Sequence, residues 1–434
     1  MQEYGEVAAD GAIAQSLEVL RYGTGDHPVP FLHGQAQEFV PDGATNQIDF
    51  HAEMVPEPRR RPHVLRALRL SLVAVAGLAV SGCYLAHVSE GHMALMEARQ
   101  PIEEVLADPG ASPELRKRLE YVREVREFAS YALALPDNGS FTSYVELDRP
   151  YVAWNVFAAP EFSVEPKKWC FVVAGCVNYR GYFEEQDAAD FARQLEKKGF
   201  DVYVSPVAAY STLGTFNDPV LSTMLDYDDV ALAGLVFHEL AHQVAYVPGD
   251  SEFNEAFAQS VEMEGVKRWL DSLGRYDELI RYRESKNRLF AVIRLMEDTR
   301  RRLADVYASG TGRAAMREAK ARELQRMKDE YARLRASWPE GPNYDSWMAS
   351  DFNNARLAAT ATYDRCLPGF TQLLQDLDGY LEGYYRAVRR LGRKEAAERE
   401  AAVCRPASAV GAAAEPVVLP PASREPEVAR EDGP

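Results

Sequence analysis

The chain has 434 residues, 47% of them hydrophobic, with a net charge of −17 and a pI near 5.1. That is ample apolar material for one large core or two smaller ones. The acidity excludes a nucleic-acid partner, because such proteins need a basic footprint. Basic runs here are confined to one early segment and to helices that also carry acids. The five cysteines, Cys83, Cys170, Cys176, Cys366 and Cys404, form neither a disulfide framework nor a CxxC pair.

Residues 1–53 are acidic, turn-rich and without clear periodicity, so they are expected to be a disordered extension upstream of a natural start at Met54. Arg59, Arg60, Arg61, Arg66 and Arg69 then precede the apolar run Leu70 to Val80, and small residues lead to Cys83. A basic region, a short apolar core and small residues before a cut describe a secretory signal, here 54–82. The run falls short of the roughly 20 apolar residues that span a bilayer. The sequence VSGC resembles the lipobox of bacterial lipoproteins, which implies that Cys83 is lipidated and begins the mature chain. The competing reading is a buried helix ending at an ordinary cysteine. Tyr84 follows where aspartate typically retains lipoproteins in the inner membrane, so the expected destination is the periplasmic face of the outer membrane.

The mature part, 83–405, is expected to form one catalytic domain. From Val88 to about Ala134 the apolar stripe has helical spacing. Tyr151–Phe157, Trp169–Val173 and Phe200–Val204 are short, aromatic or β-branched and bounded by Pro, Gly and Asn, which predicts strands within about 140–206. Gln186 to Lys198 reads as a helix between them. Asp228 can cap a helix to about Val247, and Asp250 or Ser251 a second to about Leu273. Two long charged segments, roughly Tyr276–Ala308 and Arg313–Ser337, flank Ser309-Gly310-Thr311-Gly312 and predict an antiparallel helical hairpin, read as a structural arm. Asn353 to Arg399 gives two or three further helices. The tail from 406 is low in complexity and expected to be disordered. The fold class is therefore α+β, predominantly α.

Histidine usage is the most informative feature. Six of eight histidines lie before residue 93, and the rest of the chain has only His238 and His242. They stand in Val236-Phe237-His238-Glu239-Leu240-Ala241-His242, where positions i and i+4 share one helix face and can reach one metal. Glu239 is rotated by about 100° from His238, so its carboxylate can approach a water on the metal without ligating. Zinc lowers the pKa of that water from 15.7 to about 7, and a carboxylate then carries its proton to the leaving amine. The flanks Val236, Phe237, Leu240, Ala241 and Val244 are uncharged, as a helix buried beside a metal requires. The alternative is a pair of part-exposed histidines on an ordinary helix. A catalytic zinc needs a third protein ligand, and Glu255 lies on a helix that the Pro248-Gly249-Asp250 turn folds back beside the first.

The segment Asn254-Glu255-Ala256-Phe257-Ala258-Gln259-Ser260-Val261-Glu262 resembles the second motif of glutamate-ligand zinc peptidases, the gluzincins. That resemblance implies one zinc per chain on His238, His242 and Glu255, with Glu262 and Asn254 supporting the site behind the ligands, in a zincin-like core. The interval between the two motifs is shorter here than is usual in that group. The stretches 149–163, 169–183, 209–225 and 352–370 are further similar to a predicted-aminopeptidase lipoprotein family of proteobacteria, and the similarity covers nearly all of 83–400. Thr215 and Asn217 depart from that family's usual LGWFDDP pattern.

An oxyanion donor beyond the zinc is often Tyr or His. Tyr363 and Tyr179 are the candidates, each also readable as packing. Arg180 can bind a peptide carboxylate or form a structural ion pair. Cys170 and Cys176 can close a small disulfide in an oxidising compartment or remain two buried thiols. Glu184, Glu185 and Asp218 are acids that could meet a substrate's α-ammonium. The expected function is zinc-dependent peptide hydrolysis by a lipid-anchored aminopeptidase. The alternatives are a zinc endopeptidase, or an envelope structural or binding lipoprotein with a vestigial metal site.

Overall fold

The computed structural model describes residues 88–171, 175–209, 211–339, 341, 343–360 and 365–404, without the side chains of 171 and 175–177. The lipobox, Cys83 and Tyr363 lie outside the described residues. Among the described residues no helix is long and apolar enough to cross a membrane.

The chain enters through α1 (88–97), β1 (Gln100–Pro101) and α2 (Ile102–Ala107), then the long α3 (Pro113–Leu133). Helix α3 starts where the Ser112 hydroxyl accepts the Leu115 N–H, with proline in its first turn. It buries Leu119, Val122, Val125, Ala129 and Leu133 in the main core. Arg126 donates from the same helix to the carbonyls of Pro136, Asn138 and Ser140, fixing the turn over 134–140. Strand β2 (Ser143–Val145) follows.

Strands β3 (Ala153–Pro160), β4 (Trp169–Phe171), β5 (Gly175–Val177) and β6 (Tyr179–Tyr182) precede α4 (Glu185–Glu196) and β7 (Phe200–Val207). Strand β3 lies between β6 and β7, antiparallel to both. Its sequence is apolar almost throughout because both faces are covered. Trp154, Val156 and Ala158 pack under α4, while Phe157 and Ala159 meet a later helix carrying Ala355 and Ala359. Strands β4 and β5 form a hairpin whose register sets Cys170 opposite Cys176. Cys170 is disulfide-bonded, and the Cys176 side chain lies outside the described residues. Strand β8 (Val220–Leu221) returns to pair with β2, and α5 (Ser222–Leu225) leads to the motif helices.

Those helices are α6 (Asp229–Val244) and α7 (Ser251–Ser272). The Asp228 carboxylate caps α6 at 2.8 Å from the Ala231 N–H, and Asp250, not Ser251, caps α7. Helix α6 stops short of the expected Val247. Ala245 is already extended, and both backbone groups of Val247 are bonded by the side chain of Asn254. The hairpin follows as α8 (Tyr276–Ala308) and α9 (Arg313–Ala336).

After α10 (Asp345–Ala349) comes α11 (Asn354–Ala359), the helix under the second face of the sheet. The Asn353-Asn354 pair explains that docking. Asn353 caps α11 and donates to the Val202 carbonyl, while Asn354 donates to Glu161 O and accepts from Tyr307 of α8. Helices α12 (Leu367–Gln375), α13 (Leu381–Gly392) and α14 (Ala396–Val403) close the back of α7, where Phe253 and Phe257 meet Phe370. Among the described residues the C-terminal part thus holds four helices where two or three were expected. A Cys366–Cys404 disulfide joins the start of α12 to the end of α14. The sequence reading missed this pair, because cysteines 38 positions apart carry no spacing signal.

Candidate metal centre

Helix α6 is apolar nearly all round and buried from Leu232 to His242, so its polar side chains at 238, 239 and 242 must be satisfied internally. Small residues let α7 come close enough to do so. A Cβ on Gly234 would stand 3.3 Å from the Glu262 carboxylate, and one on Gly265 would collide with Phe237 at 2.7 Å. On α7, Glu255 and Glu262 are seven apart and fall within about 20° of each other around the axis. Both meet His238.

The geometry is compact. His238 Nε2 lies 3.3 Å from Glu255 Oε2 and 3.1 Å from His242 Nε2, and His242 Nε2 lies 3.6 Å from Glu255 Oε1. Ligands about 2.1 Å from a tetrahedral zinc are separated by about 3.4 Å along the tetrahedron's edges. The three side chains already have that spacing. His238, Glu239, His242 and Glu255 are at most 1% exposed.

Several polar atoms around this point are otherwise unexplained. Neither His242 Nδ1 nor either amide atom of Gln259 has a hydrogen-bond partner among the described residues. Two imidazole nitrogens at 3.1 Å also need a proton or a cation between them. Buried groups of this kind are served by water or by an ion. The donor set of two imidazoles and one carboxylate suits a catalytic zinc, with a fourth position left open. His238, His242 and Glu255 can therefore hold a metal ion.

Electrostatics follow from burial and from these neighbours. Burial pushes the Glu239 carboxyl up to about 8; Glu255 and Asp218 add to the effect, while His238 and a hydrogen bond from the Ser211 side chain oppose it. Burial disfavours charge on His238, but its contacts with Glu255 and Glu262 outweigh that and hold it at about 9. His242 is lowered well below the ordinary histidine range by burial and by His238. Glu262 stays ionised despite burial, down at about 2, because Lys286 and His238 face it.

The 211–218 loop meets Glu239 through Ser211 and Asp218. Asp218 is fully buried and accepts from the Ser211 hydroxyl at 3.1 Å, the Thr212 N–H at 2.9 Å and the Thr212 hydroxyl at 2.7 Å. Its oxygens thus staple the 211–218 loop, and burial raises its carboxyl to about 6. Gln243, one turn beyond Glu239, binds Asn138 and Ser140 and abuts Gly214, tying the loop and the 134–140 turn to α6. His92, one of the early histidines, packs on Phe216 of this loop at 4.7 Å.

The other sequence candidates are placed elsewhere. Tyr179 packs on Phe157 at 5.4 Å in the sheet cluster under α11. The Arg180 guanidinium lies over the rings of Tyr182 and Phe191. Glu184 is exposed and pairs with Arg149, and Glu185 opens α4 at the surface. Asn254 acts on the turn, holding Val247 at 2.7 and 2.9 Å, rather than on the histidines.

A family model described as "Putative aminopeptidase" matches residues 83–403. The chain belongs to this family. The putative aminopeptidase family points to peptidase function, the coarse form of what the motif chemistry suggests. Neither the curated proteins nor the solved structures contain a match to the chain.

Sequence reasoning missed two residues on α8. Lys286 Nζ lies 2.6 Å from Glu262 Oε1, and the Tyr282 hydroxyl donates to the same oxygen at 2.9 Å. The arm expected to be purely structural thus reaches the candidate metal centre at its base. A signal was present: Lys286 sits on the apolar stripe Leu279, Tyr282, Leu289, Ile293, Met296, where a lysine must find a buried acid.

Proposed function

We propose that the chain is a zinc-dependent aminopeptidase, with one zinc held by His238, His242 and Glu255. The observation that carries this reading is the spacing of three buried ligand atoms at the edges of a zinc tetrahedron, with the Glu239 carboxylate beside them. Zinc bound there would polarise the scissile carbonyl and make water acidic enough to act at neutral pH. Glu239 takes the water's proton and delivers it to the leaving amine. Glu262 holds the His238 ring through Nδ1, so that Nε2 faces Glu255 and His242.

The four side chains are at most 1% exposed, so the site is enclosed in this conformation. The preference for the amino end is supported by family membership. The lipobox-like sequence supports attachment through Cys83 to the periplasmic face of the outer membrane. Comparing one short peptide with free and acetylated N-termini tests the reading. Release of the first residue from the free form alone is expected; equal cleavage of both, or interior cuts, would replace it with an endopeptidase.

A further inference from the structure

Helix α8 brings two polar side chains into a place where the fold has little room for them. Tyr282 and Lys286 are four apart and so share a face. The Lys286 side chain is only 10% exposed, and its ammonium lies 2.6 Å from Glu262 Oε1 and 5.5 Å from the centre of the Tyr282 ring. The Tyr282 hydroxyl takes a second position on that same oxygen. The other oxygen, Oε2, faces His238 Nδ1 at 3.3 Å. One carboxylate is thus gripped from α8 on one side and presented to a histidine of α6 on the other.

A plain fastening between helices would not require this. Burying an ammonium is costly, and apolar side chains of similar volume commonly hold helices together as well or better. What the lysine and tyrosine achieve is to fix the rotation of the Glu262 carboxylate, which in turn fixes the ring angle of His238.

We infer that Lys286 and Tyr282 are positioning residues of the metal centre, acting through Glu262 to aim His238 Nε2 at the point it shares with His242 and Glu255. The inference rests on the metal reading above and extends it to the helical hairpin, whose first helix becomes part of the site.

The test is zinc affinity, measured by competition with a chromophoric chelator, for the full chain and for Lys286→Met, Lys286→Arg and Tyr282→Phe, each melted in metal-free form. The expected result is binding about 10–100-fold weaker in Lys286→Met, in the range for loss of a group behind a ligand. Lys286→Arg should recover most of it, and Tyr282→Phe should lose several-fold. Cobalt(II) loaded in place of zinc should show altered visible bands in Lys286→Met. A fastening role alone would lower the melting temperature yet leave affinity and cobalt spectrum as in the wild type, and that outcome overturns the proposal. If Lys286→Met does not fold, the isosteric Tyr282→Phe decides, since unchanged affinity there overturns it equally. A wild-type chain that binds no zinc would instead remove the metal reading and the inference with it.

Discussion

Asn254 closes a ring with Val247: its side chain accepts the Val247 N–H at 2.7 Å and donates to the Val247 carbonyl at 2.9 Å. This clamp lets a connection of only 245–250 turn the chain between α6 and α7 and bring Glu255, the next residue, to the histidines. Removing it leaves two backbone groups in the turn without partners. Asn254→Ala is expected to lose about 2 kcal/mol of stability and to bind zinc more weakly. Urea unfolding and chelator competition on the same variant check this, and an unchanged midpoint with unchanged affinity would contradict it.

Ligand removal should separate the three metal-facing side chains from the base beside them. His238→Ala, His242→Ala and Glu255→Ala are each expected to purify with far less than one zinc per chain, by elemental analysis. Glu255→Ala retaining full occupancy would move the third ligand elsewhere.

Zinc binding should depend on pH with a defined sign. His238 is held up at about 9 in the metal-free fold, whereas a ligand must be neutral. Protons therefore compete with zinc, and apparent affinity should rise roughly tenfold per pH unit toward pH 9, then level off. The same shift makes the protonated histidine stabilising. For the metal-free protein, that contribution is complete below the ordinary value of 6.5 and lost as pH rises through about 9. Metal-free melting temperatures should fall across that window, and a flat profile in both measurements would contradict the assigned contacts.

The Cys366–Cys404 disulfide spans 38 positions and ties α12 to α14 behind α7. By loop-closure entropy alone it contributes about 4 kcal/mol. Changing both cysteines to alanine should lower the melting temperature while zinc stoichiometry holds at one per chain. Identical melting of the wild type and this double variant would show that the tie adds nothing.

Much of this arrangement was legible in the residues. The four-residue spacing of His238 and His242, the uncharged flanks and the turn before Asn254-Glu255 fix the two helices and the faces they share. Hairpin helices α8 and α9 were readable because Gly310 and Gly312 punctuate two long periodic runs. What remained hidden depends on tertiary contact. Asn254 looked like a partner of the ligands and proves to hold the turn. Asp218 looked free to meet a substrate amine and proves to staple its own loop. Gly234 and Gly265 gave no local sign that they mark the close crossing of α6 and α7. The 143–145 and 220–221 strands are too short to show a period, and their pairing joins segments 76 positions apart at Tyr144 and Val220.

The central claim is that Glu239 acts on chemistry at a metal held by its neighbours. It is tested most directly by hydrolysis of a short free-amino peptide by wild type and Glu239→Gln, each shown beforehand to carry one zinc per chain. The account predicts that the amide variant keeps its zinc and loses at least a hundredfold in rate, within the range for a missing general base. Zinc-loaded Glu239→Gln working at the wild-type rate would contradict it.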